Sequence, residues 1–382
     1  MTNSGYLALA ITVTNFFYSF AAYNNRGFQV SDVKQEYNDS EYVAARIVTC
    51  IVSVLLCVVF VFGIGFTAIQ IKIILCYMLF RAGEAFIDVL HGIDQKSWRM
   101  DYIGVSLVVR GILMLASFII LGWFFELLPA IIGMTVITFI ICLLYDLPKT
   151  KKLVRYGAYS GKQIFSLLKR CFPLMLVILI STIIVSYTRF SIERIYGVEA
   201  LGVYSPVTAP TLIVQISVSL LFAPLANLFA DSLKTVNKKR FVQIFAVATA
   251  IIAGITFVVA LGTYFLGEWG LNILYRNPEI TFYAYLLPGA AVVAGLTGSL
   301  WYMNLVFSVV RDIKGLFFCN LAGVIICFIT VDMFLNRYGL AGANHAMITS
   351  QGIVVLCLFI RLFWVINKKQ GLFTTQRLAS ES

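Results

Sequence analysis

The sequence predicts an all-α protein that crosses a membrane many times. Of its 382 residues, 60% are hydrophobic and 12% are charged, whereas about 25% of residues are charged in a soluble protein. The mean hydropathy of +0.90 is incompatible with a surface that faces water on all sides. These values exclude soluble enzymes, nucleic-acid-binding proteins and disordered scaffolds.

Eleven apolar segments are long enough to cross a bilayer, whose hydrocarbon core of about 30 Å needs about 20 helical residues. Backbone groups inside lipid must form their hydrogen bonds within the spanning structure, so these segments are expected to be helices. The predicted spans are 5–24, 46–65, 69–92, 102–123, 127–146, 172–193, 202–229, 241–266, 282–308, 315–336 and 341–366.

The basic residues predict the orientation of these spans. If the first span begins outside, 21 of the 29 Lys and Arg residues lie in cytoplasmic segments and three lie in outer segments. Basic residues concentrate on the cytoplasmic side of membrane proteins, so the C-terminus is expected in the cytoplasm. The predicted cytoplasmic segments are 25–46, 93–101, 147–171, 231–240, 309–314 and 367–382.

The longest basic connection divides the chain into two lobes. Residues 1–146 form an N-terminal lobe of five spans, residues 172–366 form a C-terminal lobe of six spans, and residues 367–382 form a tail. The connection, 147–171, mixes lysines with apolar residues. It is either a helix that lies on the anionic inner leaflet or a simple tether.

A weak internal repeat indicates a twelve-helix plan. Gly202 and Asp231 bracket span seven with a separation of 29 residues, and Gly5 and Asp32 bracket span one with a separation of 27. Span seven is preceded by a helix, whereas span one is preceded by none. We therefore expect two six-helix lobes from which the first helix is missing; the alternative is an eleven-helix protein without a repeat.

Span three carries a charged stripe. Arg81, Glu84 and Asp88 are spaced three and four residues apart and so share one helical face. Tyr77 and His91 extend that face. A charge at the centre of a bilayer costs about 2.5–3.5 kcal/mol on insertion scales. The stripe is therefore expected to face another helix or a watery cavity.

Arg110 in span four adds a second intramembrane arginine. It lies about 12 Å from the cytoplasmic end of its span, which favours a bridge to Glu84 across the hairpin. The resulting neutral network could serve helix packing alone. Arg81 lies deeper than its neighbouring carboxylates, which makes it the better candidate for contact with a ligand.

The second lobe contains a similar arginine. Arg189 and Glu193 are one helical turn apart, so Arg189 is either a ligand contact or one half of an ion pair at a helix end. Asp332, near the outer end of span ten, is expected to be the only lone acid within the membrane. Guanidinium groups bind phosphate through two parallel hydrogen bonds, so cavity-facing arginines favour an anionic ligand such as a phosphate.

The sequence indicates no metal site and no soluble cofactor. The eight cysteines are scattered singly through apolar runs, without a CxxC pair, and the two histidines are far apart. Neither a disulfide framework nor a zinc site is therefore expected.

Several short motifs resemble those of the bacterial polysaccharide and O-antigen flippases (the Wzx-like family), which belong to the multidrug/oligosaccharidyl-lipid/polysaccharide exporter superfamily. The resemblance extends over essentially the whole chain, although the motifs are degenerate. It rests on segments 27–32, 88–101, 187–190 and 201–204, together with Glu36, Tyr37, Tyr42, Arg46, Ser106, Arg110 and Gly197.

This resemblance implies a MATE-like fold of two helical bundles arranged as a V around a central cavity. It implies a protein of the bacterial inner membrane that flips undecaprenyl-diphosphate-linked oligosaccharides by alternating access, for O-antigen, capsule or exopolysaccharide synthesis. Membrane lipids, a polysaccharide polymerase and glycosyltransferases are the implied partners.

The resemblance also implies roles for the charged residues. Arg81, Arg110 and Arg189 would hold the diphosphate of the lipid carrier. Glu84 or Asp88 would couple transport to an ion gradient or, with Glu193, would form structural ion pairs.

Three other functions are compatible with the sequence. One is an ion-coupled multidrug exporter of the same fold, for which Asp332 would bind the cation. Another is a non-transporting partner in the polysaccharide synthesis complex. A membrane glycosyltransferase or polymerase is disfavoured, because the longest outer segment, about 266–281, offers only Glu268 and Glu279.

Overall fold

The computed structural model describes residues 2–32, 36–154, 157, 160–220, 225, 228–229, 232, 238–310 and 312–368. Every regular element within these ranges is helical, which confirms the predicted all-α class. Part of the seventh predicted span, part of the basic connection and nearly all of the tail lie outside the described residues.

The N-terminal half contains seven α-helices and one π-helical turn. They are α1 (Thr2–Ala22), α2 (Asn25–Ser31), α3 (Asp39–Ile64), α4 (Ala68–Lys96), α5 (Met100–Phe125), α6 (Leu127–Ile141), the π-turn (Cys142–Asp146) and α7 (Leu147–Leu153).

The C-terminal half continues with longer helices. They are α8 (Gly161–Thr208), α9 (Leu212–Leu220), α10 (Lys238–Tyr275), α11 (Leu287–Val310), α12 (Ile313–Tyr338) and α13 (Ala341–Lys368), with short helical turns at Ala209–Thr211, Pro278–Thr281 and Ala284–Leu286.

The chain is a multi-pass membrane protein. Nine helical stretches among the described residues are long and apolar enough to cross a bilayer. The stretch Gly161–Ser219 contains predicted span six and the first part of predicted span seven, on either side of the non-helical backbone of Gly197. Predicted span three lies on α4, which carries too many charges to be counted among the nine. The described parts of the eleven predicted spans thus lie mainly on helices.

The chain divides into two compact units. The N-terminal unit comprises Thr2 and Tyr6–Thr182, and the C-terminal unit comprises Asn3–Gly5 and the residues from Ile183 onward. The boundary lies within α8. Within the predicted connection 147–171, α7 and the first turns of α8 are helical, and its position at the inner leaflet stays a prediction.

Helix α5 shows why the membrane is the solvent of this fold. Val108, Ile112 and Leu115 are each more than 60% exposed. Apolar surface of this extent is stable in lipid and unstable in water. The same helix buries Ser106 and Arg110 on its opposite side.

Capping residues set the positions at which α3 and α4 begin. The side chain of Glu41 accepts from the backbone amide of Asn38 at 3.0 Å, and that of Gln70 accepts from the amide of Thr67 at 2.9 Å. Both are capping boxes, which satisfy amides that the helix itself leaves free. Helix α3 therefore begins at Asp39, seven residues before the span that hydropathy predicts.

Helix α2 packs closely against the end of α4. A Cβ atom on Gly92 would lie 2.1 Å from Oε1 of Gln29, and Gln29 is fully buried. Only a glycine allows this approach. The contact holds α2, which carries Arg26, against the charged face of α4.

Replacing Gly92 by alanine tests this contact. A Cβ atom on Gly104, on the exposed part of α5, would meet no neighbouring atom within 4 Å, so Gly104→Ala provides the matched control. Both substitutions gain helix propensity, but only Gly92→Ala forces Gln29 to move. We expect Gly92→Ala to be less stable than Gly104→Ala by about 1–3 kcal/mol in thermal unfolding of the purified protein. Equal stabilities would contradict the close packing of α2 on α4.

Candidate functional site

Near the middle of α4, its charged face contacts α1. The guanidinium group of Arg81 donates to Glu84 at 2.7 Å and to the side-chain oxygen of Asn15 at 3.2 Å. It also lies 3.8 Å from the ring centroid of Tyr18. Arg81 and Glu84 are each 21% exposed, so this pair is not fully enclosed.

One turn further along α4, Asp88 binds two arginines. Nη1 of Arg26 donates to one carboxylate oxygen at 2.9 Å, and Nη2 of Arg46 donates to the other at 3.1 Å. Arg46 is fully buried and also donates to the carbonyl oxygen of Ala21 at 2.7 Å. Nη2 of Arg26 donates to Oε1 of Gln95 at 3.0 Å. Asp88 thus ties α2, α3 and α4 together.

A cavity of about 430 Å³ opens beside the Arg26–Asp88 pair. Gln95 also lines it, and Val30 and Ile178 add apolar surface. The side chain of Arg26 is 33% exposed and that of Asp88 is 28% exposed. The cavity therefore places one accessible guanidinium group beside a carboxylate that already has a second, buried arginine.

The carboxylates of α4 do not take the partners that the sequence predicts. Among the described residues, Glu84 pairs with Arg81 and not with Arg110, because the partner three residues away on the same helix is within direct reach. His91 lies 3.4 Å from Asp146 of the π-turn. Helical spacing places His91 on the same face as Arg81, but its contact is with the π-turn.

Arg110 lies in the interior of the N-terminal unit. It is 8% exposed, and its Nη1 atom has no hydrogen-bond partner among the described residues. The positive charge of Arg110 interacts electrostatically with the thiol group of Cys142 in the π-turn. Its role as a phosphate contact stays a prediction, and this burial favours Arg26 and Arg81 over it.

Sequence patterns alone do not identify two arginines of this site, Arg26 and Arg46, as candidates for ligand binding or for ion pairs. The predicted cytoplasmic segment 25–46 contains both, and in the structure α3 includes Arg46 and buries it completely. The capping box at Asn38 and Glu41 is the available signal, since it places the helix start seven residues before Arg46.

The turn between α2 and α3 is held by Asp32. Its carboxylate accepts from the backbone amides of Glu36 at 3.1 Å and Tyr37 at 3.2 Å, and from the Tyr42 hydroxyl at 3.0 Å. Partial burial acts to raise the pKa of Asp32, but these three hydrogen bonds and the charge of Lys96 bring the pKa below its usual value. The turn fixes the end of α2 that follows Arg26.

The candidate residues of the C-terminal unit are Arg189 and Glu193 on α8. Arg189 is half-buried, and its Nε atom is buried without a hydrogen-bond partner among the described residues. The nearby Tyr204 donates its hydroxyl to Asn344 at 2.7 Å. Arg189 thus retains donor capacity inside its unit, and its role as a ligand contact stays a prediction.

Asp332 is not an unpaired acid. Nη2 of Arg194 donates to its two carboxylate oxygens at 2.5 and 2.6 Å. The interpretation of Asp332 as the lone intramembrane acid is therefore wrong: α8 brings Arg194, 138 residues away in the chain, to the side of α12. Such long-range pairs cannot be read from sequence spacing.

Comparison with solved structures identifies the fold. An inward-facing MATE-family multidrug resistance transporter of the MOP superfamily is 14% identical, with a TM-score of 0.70, over 97% of this chain and 89% of that one. A mutant form of the Vibrio cholerae MATE transporter VcmN is 13% identical, with a TM-score of 0.67, over 96% and 88%. The lipid II flippase MurJ, in an inward closed conformation, is 15% identical, with a TM-score of 0.66, over 98% and 84%.

These likenesses show that the chain has the fold of the MATE and MurJ transporters. This confirms the predicted MATE-like fold. No family model matches the chain, and no curated protein matches it. The site is therefore interpreted from its own residues.

The Asp32 turn predicts a loss of stability in acid. Because the pKa of Asp32 is lower in the folded protein than in the unfolded chain, its contribution is present above the unfolded pKa of about 4. That contribution is lost as the pH falls through the folded value. We expect Asp32→Asn to unfold at a lower temperature than the wild type at neutral pH, with the difference shrinking below about pH 4.

Glu126→Gln, at the exposed N-terminus of α6, provides the control for removal of a carboxylate. Its unfolding temperature should stay close to that of the wild type at neutral pH. A pH-independent difference between Asp32→Asn and the wild type would contradict the ionised state of Asp32 in the turn.

Proposed function

We propose that this protein flips undecaprenyl-diphosphate-linked oligosaccharides across the bacterial inner membrane by alternating access. The observation that carries the proposal is the arginine-rich face of the N-terminal unit. There, among the described residues, three guanidinium groups (Arg26, Arg46 and Arg81) meet two carboxylates (Glu84 and Asp88). The excess positive charge suits a phosphate or diphosphate group.

The geometry assigns different roles to the three arginines. Arg46 is fully buried and holds the Asp88 carboxylate in place. Arg26 and Arg81 are partly exposed, so they can turn donors toward an anionic headgroup. When Arg26 does so, Asp88 still keeps the hydrogen bond from Arg46.

The fold supports a lipid-linked substrate, because one structural neighbour is a lipid II flippase. In our proposal the polyprenyl tail stays in the bilayer while the diphosphate and the sugar cross. Arg189 is proposed as a phosphate contact of the C-terminal unit, because its buried Nε atom has no hydrogen-bond partner among the described residues.

A multidrug exporter is the second candidate, since another structural neighbour is a multidrug resistance transporter. A drug cation would need a carboxylate that is free to bind it. Glu84, Asp88 and Asp332 each already bind an arginine, and Asp94 and Asp146 are each only 1% exposed. The charge pattern therefore favours an anionic substrate over a cationic one.

Substitution of the exposed arginines tests the proposal. Purified protein is reconstituted in liposomes with a lipid-linked oligosaccharide, and flipping is measured by protection of the glycan from an added glycan-modifying enzyme. We expect Arg26→Ala and Arg81→Ala each to slow flipping about tenfold or more, because a hydrogen bond to a charged group contributes about 1.5–3 kcal/mol.

Arg99→Ala is the matched control, because Arg99 is 40% exposed and pairs with Asp101 at the start of α5. It should flip at the wild-type rate. Wild-type rates for both Arg26→Ala and Arg81→Ala would overturn the proposed site. Export of a lipophilic cation without flipping by the wild type would favour multidrug export.

A further inference from the structure

Three buried ionisable side chains meet where α4 ends against the π-turn. His91 and Asp94 lie three residues apart on α4, and Asp146 closes the π-turn. Their exposed fractions are 3%, 1% and 1%. The Arg26–Asp88–Arg46 site does not use any of them.

The polar atoms of this cluster lack partners. Among the described residues, both carboxylate oxygens of Asp94, both of Asp146 and Nε2 of His91 are buried without a hydrogen bond. His91 Nε2 approaches Asp146 Oδ1 to 3.4 Å but is not aligned as a donor. Five unpaired polar atoms at one place are costly, because each loses its hydration without compensation.

The local backbone brings this cluster together. Ile87, Leu90 and Ile93 of α4 pack with Cys142 of the π-turn in one buried apolar cluster, which holds the two segments in contact. A π-helical turn accommodates an extra residue and so changes the direction of the side chains that follow. Such turns occur frequently at functional sites.

Among the described residues, the surrounding charges form no hydrogen bond or arginine ion pair with the two carboxylates. Among the described residues, no hydrogen bond joins Arg26 or Arg110 to Asp94 or Asp146, and Arg26 is engaged by Asp88 and Gln95. Lys149 lies over the ring of Tyr102 at 4.7 Å.

Several ionisable groups interact electrostatically with the cluster or with its neighbours. They are Arg26 on α2, Asp101, Tyr102 and Arg110 on α5, and Cys142 and Tyr145 on the π-turn.

We propose that His91, Asp94 and Asp146 form a proton-binding site at the junction of α4 and the π-turn. Two buried carboxylates this close to one imidazole cannot all be satisfied in the ionised state, whereas a bound proton supplies the missing donor. No group of three or more His, Cys, Asp or Glu side chains in the described part of the chain is arranged to hold a metal ion.

The proposed step is the reversible binding of one proton from water. A proton from water adds to a carboxylate oxygen of Asp94 or Asp146 and produces a carboxylic acid. On Asp146 the new hydroxyl lies beside Nε2 of His91, which is 3.4 Å from Oδ1; on Asp94 the proton removes a negative charge that acts on both other groups. Loss of the proton to water restores two negative charges in a buried position and weakens the packing of α4 on the π-turn. The proton-binding site stands whether or not the chain flips a lipid-linked oligosaccharide.

Infrared difference spectroscopy of the purified full-length protein tests the site. A buried carboxylic acid gives a C=O band that shifts in deuterium oxide. We expect the wild type to show such a band that titrates between about pH 5 and 8, the range in which histidine also changes its charge. Asp94→Asn and Asp146→Asn should each lose most of the band.

Asp332→Asn is the matched control, because Asp332 is partly exposed and paired with Arg194; it should keep the band. His91→Gln retains both carboxyl groups and should shift the midpoint, because it replaces the imidazole that lies 3.4 Å from Asp146. Absence of a titrating band in the wild type, or its full retention in both folded Asp→Asn variants, would overturn the proposal. Circular dichroism establishes which variants are folded, and the wild-type titration decides the question if neither is.

Discussion

The architecture of the charged site depends on one constraint: Asp88 cannot lie unpaired inside a membrane unit. Arg46 is its permanent partner, because the guanidinium group of Arg46 is fully buried and also donates to the carbonyl oxygen of Ala21. Removal of Asp88 would leave the fully buried guanidinium group of Arg46 without its carboxylate partner, which is destabilising. This ion pair and its hydrogen bonds therefore link α1, α3 and α4.

Arg26 has a different role from Arg46. It lies on the short helix α2, which is held by the close contact of Gln29 with Gly92 and by the Asp32 turn. Because Asp88 is already bound by Arg46, Arg26 can exchange its carboxylate for another anion without stranding a charge. Structural and binding functions are thus divided between two arginines of the same carboxylate.

The sequence predicts the helices well and the pairing of charges poorly. Hydropathy identifies the spans because lipid exposure acts on each helix separately, as on α5. The stripe of Arg81, Glu84 and Asp88 is predictable as a polar face, since helical spacing is a local property. Which helix this face meets depends on packing, so spacing misses Arg26 and Arg46 as partners and pairs Glu84 with the wrong arginine.

Two other differences have the same origin. Asp332 has no arginine three or four residues away on its own helix, but α8 carries Arg194 to it. Asp146 and His91 are 55 residues apart, and they meet only because the π-turn packs against the end of α4. Contacts between distant segments of the chain require the fold before they can be assigned.

The most direct test of the account is the affinity of the purified protein for a short-chain isoprenyl diphosphate, measured by isothermal titration at two salt concentrations. The account predicts that Arg26→Ala binds about tenfold or more weakly than the wild type. It also predicts that Arg99→Ala binds as the wild type does, and that added salt weakens wild-type binding. Equal affinity of the wild type and Arg26→Ala would contradict the assignment of the Asp88-centred arginines as the anion site.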